Sequence, residues 1–321
     1  MPENRSWQIV GPLAMARRIV VSDVNGAPRF RGQGQPEHDS RTAAARANAR
    51  LILHRTAVAV VDTDPDTGEQ RLRELDDGPV RTWAVETGLG QQRGDNLSRR
   101  VAERRERALS RLAATSNRRV MAIEIEPQAA MVTGTATAGL RNVGIELHGT
   151  HGWPIIPASS LKGVAAAYAA EAANQDDVDR IFGLPRPGRD EGDTERKTAG
   201  KAAARPGTVQ FFDALPGPNG ITVAQHDLTP HARDYHTGTD ARGSRPAPAE
   251  YLNPVPIPFL VVDGGSFTAH VVGPADHAET AARLLCEAMD DLGVGAKTAA
   301  GYGYLTGTAR LLDPPAPKAA R

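Results

Sequence analysis

The chain has 321 residues, of which 40% are hydrophobic, and carries 38 basic and 38 acidic side chains. This composition predicts a globular protein with enough apolar residues for one large domain or two smaller ones. A formal net charge of zero excludes binding driven by overall charge, so any affinity for phosphate has to come from local clusters of cations. The single cysteine, Cys286, excludes an internal disulfide.

Membrane and export signals are not evident in the sequence. No uninterrupted apolar run approaches the length of a membrane span. The first residues lack the order of a signal peptide, in which a charged segment precedes an apolar one. We therefore expect a cytoplasmic protein.

The first 118 residues have the weakest apolar pattern. It predicts helices only over residues 42–59 and 96–114, so we expect residues 1–118 to be an arginine-rich extension ordered largely by its partners. The second helix carries a cluster of arginines, which are Arg99, Arg100, Arg104, Arg105, Arg107 and Arg111. Guanidinium groups match phosphate oxygens, but the interleaved Glu103 and Glu106 equally fit an ordinary solvated helix.

Clear secondary-structure patterns begin at Val120. Residues 120–126 alternate apolar and acidic side chains as a half-buried strand does, and β-branched residues continue this pattern over residues 131–140. A helix then begins close to Ser159 or Ser160, either of which can be its N-cap. The polar run over residues 186–205 predicts a flexible loop.

The remaining segments complete an α+β pattern. Residues 208–215 predict a strand, and residues 255–262 and 266–272 predict a hairpin around Asp263-Gly264-Gly265. A helix over residues 274–292 and a final strand over 304–312 follow. This order is that of a ferredoxin-like β-α-β-β-α-β fold with a long insertion between its central strands.

A glycine-rich loop, residues 292–303, joins the last helix to the last strand. The ammonium of Lys297 and the hydroxyl of Thr298 can bind a phosphate, and a nucleobase can stack on Tyr302. The loop glycines permit close approach of a ligand to the backbone, and they are Gly293, Gly295, Gly301 and Gly303. The loop predicts RNA or nucleotide binding, with a structural helix-to-strand turn as the alternative.

The same loop does not fit a nucleoside-triphosphate P-loop. A P-loop needs a glycine directly before its lysine, and it follows a strand and opens a helix. Here Ala296 precedes Lys297, and the loop follows a helix. The pattern therefore disfavours an ATPase.

A second candidate phosphate site lies at the predicted helix start, residues 155–163. Helix N-termini present free amides and a partial positive charge, to which Lys162 adds a full charge. The residues predicted to contact RNA here are Ser159, Ser160, Lys162 and Gly163. Simple helix capping is the alternative for the two serines.

Histidines and carboxylates crowd the segment of residues 226–236. A histidine with a carboxylate can cleave RNA or hold a metal ion. The first two histidines, however, are five residues apart, and Pro230 interrupts any helix that would align them. We therefore predict no catalytic residue, no metal and no cofactor, and we assign His231 to RNA binding.

The two motifs together resemble the RAMP superfamily of CRISPR effector proteins. More narrowly, three further segments are similar to the sixth-subunit family of the Cmr complex, the type III-B effector. These segments are residues 135–151, Phe211-Phe212-Asp213-Ala214 and residues 226–231. The similarity covers the last two thirds of the chain and none of the first 118 residues. The chain departs from the family pattern in two ways, because Ala158 replaces a usual glycine, and Ala166 and Ala167 stand where an arginine often follows the Lys-Gly pair.

The resemblance implies a ferredoxin-like, RNA-recognition-like domain over residues 119–321. It implies a non-catalytic subunit that holds the guide (CRISPR) RNA near its 3′ side and caps the backbone assembly for antiviral defence. The implied partners are the guide RNA, target RNA, other Cmr RAMP subunits and the small subunit. Target cleavage, cyclic-oligoadenylate synthesis and DNA cleavage belong to other subunits of that family's complexes. A guide-processing ribonuclease of the same superfamily and a purely structural adaptor are the alternatives.

Overall fold

The computed structural model describes residues 6–10, 19–21, 28–30, 48–55, 57–64, 67–68, 70–75, 77–91, 97–134, 145–172, 174–184, 205–230, 235, 238, 247, 254 and 256–312. The helices are α1 (Ala49–Arg55), α2 (Gly78–Glu86), α3 (Leu97–Thr115), α4 (Ala158–Ala172), α5 (Gln175–Phe182) and α6 (Ala275–Asp291). The strands are β1 (Ser6–Val10), β2 (Ile19–Val21), β3 (Pro28–Phe30), β4 (Ala57–Thr63), β5 (Gln70–Leu75), β6 (Arg119–Pro127), β7 (Gly183–Leu184), β8 (Arg205–Pro206), β9 (Gln210–Leu228), β10 (Ile257–Gly273) and β11 (Leu305–Leu311). The predicted flexible loop of residues 186–205 lies almost entirely outside the described residues.

The central element is a four-stranded sheet in the order β11-β6-β10-β9. Each neighbouring pair in it is antiparallel. β6 forms as its sequence predicts, because Ile123 and Ile125 are buried on one face while Glu124 and Glu126 are exposed on the other. The mixed α and β composition with an antiparallel sheet is confirmed.

The hairpin predicted around Asp263-Gly264-Gly265 is wrong. These residues lie inside β10, a strand of 17 residues that pairs with β9 on both sides of them. The register shifts beside Gly264 and Gly265, and Gly265 has a φ of +96°. A Cβ at Gly265 would lie under 3.0 Å from the backbone of Gly220. The glycines therefore form a bulge between two long strands rather than a turn.

Two helices, α4 and α6, cover one face of the sheet. Their apolar faces join Ile123, Ile125 and Phe267 of the sheet in one buried core. The contact between the two helices uses small residues, which allow close approach. The alanines buried in this core are Ala165 and Ala169 of α4 and Ala278, Ala281 and Ala282 of α6. No helix in the described part of the chain is long and apolar enough to cross a membrane.

The described part of the N-terminal third shares this core. β1, β4 and β5 form a separate three-stranded sheet, while Ile52 and Leu53 of α1 and Trp83 of α2 are buried in the main core. The helix predicted over residues 42–59 is wrong at its end, since β4 begins at Ala57. β4 pairs with β1 on one side and with β5 on the other. These strand pairings stabilise the extended conformation over the helix that the spacing of apolar residues favours. The domain boundary at residue 118 stays a prediction.

Helix α3 covers the opposite face of the sheet. Its Leu109 is buried with Val120, Val272 and Leu312. The arginine cluster of α3 is divided: Arg105 donates to the Asp213 carbonyl at 2.6 Å, while the five other arginines are exposed to solvent. The exposed ones are Arg99, Arg100, Arg104, Arg107 and Arg111.

Beneath α3 lies a cavity of about 210 Å³ that is lined by both charged and apolar groups. His270 of β10 forms part of its wall and is only 2% exposed. Neither ring nitrogen of His270 has a hydrogen-bond partner among the described residues. Burial, and then the charges of Arg105 and Arg310, lower the pKa of His270 to about 4. The ring is therefore neutral at pH 7.

This buried histidine predicts acid sensitivity. Because the pKa of His270 is lower in the folded chain than in the unfolded chain, the unfolded state binds more protons between pH 6.5 and about 4. The free energy of unfolding should fall by up to about 3 kcal/mol across this window. The substitution His270→Phe should remove that part of the pH dependence. Urea unfolding at a series of pH values measures it, and identical pH profiles for the two proteins would contradict the assignment.

Candidate nucleic-acid interface

The glycine-rich loop folds back onto the segment that follows β6. The amide of Ala296 donates to the carbonyl of Val132 at 2.9 Å, and the amide of Gly303 donates to the carbonyl of Ala130 at 2.9 Å. Within the loop, the amide of Val294 donates to the carbonyl of Gly303 at 2.7 Å. Residues 298–300 form a short 3-10 helix between these anchors. The loop is thus held in place from both ends.

The loop glycines have two different structural roles. A Cβ at Gly295 would lie under 3.0 Å from the carbonyl oxygen of Val132, and one at Gly303 would lie equally close to that of Val294. At Gly301, by contrast, no atom lies within 4 Å of the Cβ position. Gly295 and Gly303 therefore approach the chain's own backbone closely, and the expectation that the loop glycines contact RNA stays a prediction.

Four side chains meet where the loop crosses the sheet, and we call them the loop cluster: His226, Phe259, Lys297 and Tyr302. The Lys297 ammonium lies 5.3 Å from the centroid of the Phe259 ring. The Tyr302 ring meets the rings of Phe259 and His226 edge to face, each at a centroid distance of 5.8 Å. Lys297 itself has a left-handed φ of 65°, which is unusual for a residue with a side chain.

The loop cluster combines a cation with partly exposed aromatic rings. Lys297 is exposed, while Tyr302 and Thr298 are half-buried. The hydroxyl of Tyr302 lies 3.3 Å from Nδ1 of His226, and Nε2 of His226 lies 3.9 Å from a carboxylate oxygen of Asp263. A cation beside an aromatic surface can bind a phosphate and the base next to it.

The histidine-rich segment is only partly described. His226 joins the loop cluster, and Asp227 is exposed on the same strand. The predicted RNA contact His231 lies outside the described residues, as do Asp234 and His236. Among the described residues, no group of three or more His, Cys, Asp or Glu side chains is arranged to hold a metal ion.

The helix start at residues 155–163 differs from its prediction. α4 begins at Ala158, so Ser159 and Ser160 lie inside its first turn and the predicted serine N-cap is wrong. The Ala158 amide donates instead to Oδ1 of Asp213, at 2.8 Å. A carboxylate from a distant strand therefore takes the capping role, and its negative charge opposes an incoming phosphate at this amide.

The other predicted residues of this motif are at least partly accessible. Lys162 and Ser160 are half-buried, whereas Ser159 and Gly163 are exposed. A Cβ at Gly163 would meet no atom within 4 Å. The structure therefore leaves this face of α4 open to a ligand or to another protein.

The two predicted motifs attach to different parts of the sheet. Asp213, which caps α4, lies next to Phe212, and Phe212 pairs with His270 of β10. The loop cluster includes Phe259, which pairs with His226 near the other end of β10. At about 3.3 Å per residue, the stretch of β10 from Phe259 to His270 corresponds to roughly 36 Å along the strand. The motifs therefore do not form a single small pocket.

Sequence reasoning missed Phe259. It lies in a run of apolar residues typical of a buried strand, and its ring is 6% exposed. Its role beside Lys297 depends on a loop that is almost 40 residues later in the chain. The sequence signal that could have identified Phe259 was a large aromatic residue within the predicted strand of residues 255–262.

Comparison with known proteins shows the family of this chain. The sequence profile of the RAMP superfamily matches residues 124–306, which is more than half of the chain. The chain belongs to the RAMP superfamily. The match includes both predicted motifs and begins within β6, after α3.

Individual RAMP relatives give narrower matches. Over 105 residues the chain is 37% identical to the CRISPR system Cmr subunit Cmr6 of Pyrococcus furiosus, covering 31% of this chain and 30% of that protein. The chain thus matches less than a third of the length of this curated relative. The crystal structure of Cmr6 from Pyrococcus furiosus is 26% identical with a TM-score of 0.33, over 60% of this chain and 99% of that one.

A further likeness concerns the fold. A chain in the cryo-EM structure of the type III-B Cmr-beta bound to cognate target RNA matches with a TM-score of 0.51 at 18% identity. The match covers 73% of each chain. It shows a shared fold.

Gly295 and Gly301 allow two substitutions to be compared, one with a backbone group against the added methyl group and one without. Gly295→Ala adds a methyl group against Val132 at a φ of +98°, so it should destabilise the fold by about 2–5 kcal/mol. Gly301→Ala carries a similar φ of +87° with free space around it, so it should cost only about 1–2 kcal/mol. Urea unfolding measures both, and equal losses would show that the Val132 contact does not constrain the loop.

Proposed function

We propose that this protein is a non-catalytic RNA-binding subunit of a type III-B CRISPR (Cmr) effector complex. In this role it holds the guide RNA near its 3′ side and caps the backbone assembly in the cytoplasm. The observation that carries the proposal is the loop cluster, in which Lys297 lies over Phe259 beside Tyr302 in the glycine-rich loop of a RAMP protein. The match to Cmr6 supports the narrower assignment.

A ferredoxin-like core is part of this proposal. The sheet order β11-β6-β10-β9 is consistent with that topology. α4 lies in the connection from β6 to β9, and α6 lies in the connection from β10 to β11. Both helices contribute to the core on one face of the sheet, as two crossover helices do in that fold.

The proposed mechanism is a grip on the RNA backbone that tolerates any base sequence. Lys297 would neutralise a phosphate, with the Thr298 hydroxyl as a second donor, and an adjacent base would pack on Tyr302. Lys162 and the open face at Gly163 would contact a more distant part of the same strand. Base identity would be left to pairing between guide and target RNA.

His226 is the described residue that a catalytic role would use. A general base needs a ring nitrogen directed at the substrate. In His226, Nδ1 lies 3.3 Å from the Tyr302 hydroxyl, and Nε2 lies 3.9 Å from Asp263. Only Nδ1 is thus within hydrogen-bond distance of a protein group, so the proposal that His226 binds rather than cleaves RNA depends on a direct cleavage assay. The alternative is a guide-processing ribonuclease of the same superfamily.

The proposed partners follow from this assignment. They are the guide RNA, the target RNA, the other Cmr RAMP subunits and the small subunit. An assembly subunit should bind guide RNA and its neighbours without cutting RNA, whereas a processing enzyme cuts repeat RNA as an isolated protein. Incubation of the purified protein with labelled repeat RNA should leave it intact, and specific cleavage would favour the ribonuclease.

Lys297 provides the direct test of the RNA grip. Lys297→Ala should weaken binding of labelled guide RNA severalfold, because one phosphate contact is lost. It should also reduce the slope of log affinity against log salt concentration by about one unit. Fluorescence anisotropy titrations at several salt concentrations measure both quantities.

The control for this test is Arg283→Ala. Arg283 is an exposed cation on α6 that pairs with Glu287 at 2.8 Å, so its loss should leave RNA affinity nearly unchanged. Unchanged affinity and salt slope for Lys297→Ala would reject the role of Lys297. Equal effects of the two substitutions would show only a general dependence on surface charge.

A further inference from the structure

Three aromatic rings stack on a short turn just before α4. The turn, residues 147–154, is closed by an antiparallel bridge between Leu147 and Pro154. The His148 and His151 rings stack at a centroid distance of 5.0 Å, and the His151 and Trp153 rings stack at 4.3 Å with an interplanar angle of 13°. All three residues are partly exposed. We call these three residues the aromatic stack.

The N-terminal third holds the aromatic stack in place. The side-chain amide of Asn48 donates to the carbonyls of Gly149 and Thr150, at 3.3 and 2.9 Å. The guanidinium of Arg50 donates to the carbonyl of Leu147 at 3.3 Å. Asn48, just before α1, and Arg50, in its first turn, therefore hold the turn by hydrogen bonds to its backbone.

The two histidines of the aromatic stack are uncharged at neutral pH. Nδ1 of His148 accepts from the amides of Thr150 and His151, at 3.2 and 3.3 Å. Burial lowers the pKa of both histidines, and the charge of His151 lowers the pKa of His148 further. At neutral pH both rings are therefore uncharged, and a face that no neighbouring ring covers can stack on a base with little desolvation cost.

The charges around the stack fit a partner that combines negative charge with flat rings, as a nucleic acid does. Arg50 and Arg105 both act electrostatically on His148, as does the single carboxylate of Asp213. Asp213 is already bonded to the Ala158 amide, and Arg105 donates to the carbonyl of Asp213. The half-buried Arg50 thus leaves positive charge beside a row of aromatic faces. This combination is typical of surfaces that bind single-stranded nucleic acid.

We propose that the aromatic stack of His148, His151 and Trp153 is a base-stacking platform for single-stranded RNA, with Arg50 beside it to contact a phosphate. The proposal rests on the proposed function and extends it to a second contact region near the start of α4. It also assigns a function to Asn48 and Arg50, which position the platform. Stacking tolerates any base because every base has a π-face.

The test compares Trp153→Ala with Trp153→Phe in the full chain. Loss of one base stack should weaken binding of labelled single-stranded RNA roughly 5- to 100-fold in Trp153→Ala. The slope of log affinity against log salt should stay unchanged, because no phosphate contact is lost. Trp153→Phe keeps an aromatic face and should bind within a fewfold of the unmodified protein. Thermal unfolding checks that both variants are folded.

A fluorescence measurement provides a second, independent readout. RNA should quench tryptophan emission in the unmodified protein, and this quenching should be strongly reduced in Trp153→Phe. The control is Trp83→Phe, because Trp83 is 3% exposed in the core and cannot meet RNA. Trp83→Phe should therefore keep both RNA affinity and the quenching due to Trp153.

The outcomes separate this proposal from the proposed function. If the unmodified protein binds no RNA, both are overturned. If RNA binds normally, Lys297→Ala weakens it and Trp153→Ala does not, only the stacking proposal is overturned. If Trp153→Ala keeps normal RNA affinity but no longer assembles with sister subunits, the stack belongs to a protein interface and the stacking proposal is wrong.

Discussion

The pairing of β10 with β6 on one side and β9 on the other is the interaction on which the rest of this structure depends. β10 spans 17 residues, and its different parts serve different regions of the molecule. Phe259 near its start supports the loop cluster, Phe267 in its middle is buried in the core, and His270 near its end faces α3. The bulge at Gly264 and Gly265 allows these parts to remain in one strand.

The arrangement of helices decides which surfaces remain accessible. α4 and α6 cover one face of the sheet, and α3 covers part of the other through Leu109. Neither face of the sheet is therefore fully open for RNA. In the proposed function, RNA is contacted at the glycine-rich loop and at the start of α4, which attach to different parts of the sheet.

Because the net charge of the chain is zero, any binding of phosphate depends on individual cations and their surroundings. Many cations are engaged inside the molecule: Arg310 pairs with Glu106 at 3.0 Å, and Arg105 donates to a carbonyl of β9. Lys297 and Arg50 differ because each lies beside aromatic rings. Carboxylates also limit the candidate sites, since Asp213 occupies the first amide of α4 and Asp263 lies beside His226. In the proposed function, the phosphate contacts therefore come from single cations that lie beside aromatic rings.

Several helices and strands could be predicted from the sequence alone, because the patterns that indicate them involve only neighbouring residues. Periodic apolar residues predicted α4, α6, β6 and β11 almost to their ends, and the glycines with Lys297 and Tyr302 identified the loop that lies against the sheet. These signals are local because helix spacing, strand alternation and positive φ are properties of neighbouring residues.

Only the tertiary structure decided the features that depend on distant partners. Local sequence read Asp263-Gly264-Gly265 as a turn, whereas pairing with β9 made it a bulge inside β10. Serine was the expected cap of α4, whereas Asp213 of β9 supplies it. The aromatic stack is ordered by Asn48, about 100 residues earlier in the chain. Such contacts join residues that are far apart in the sequence. A local sequence pattern therefore cannot predict which strand pairs with which, which group caps a helix, or which side chains hold a ring in place.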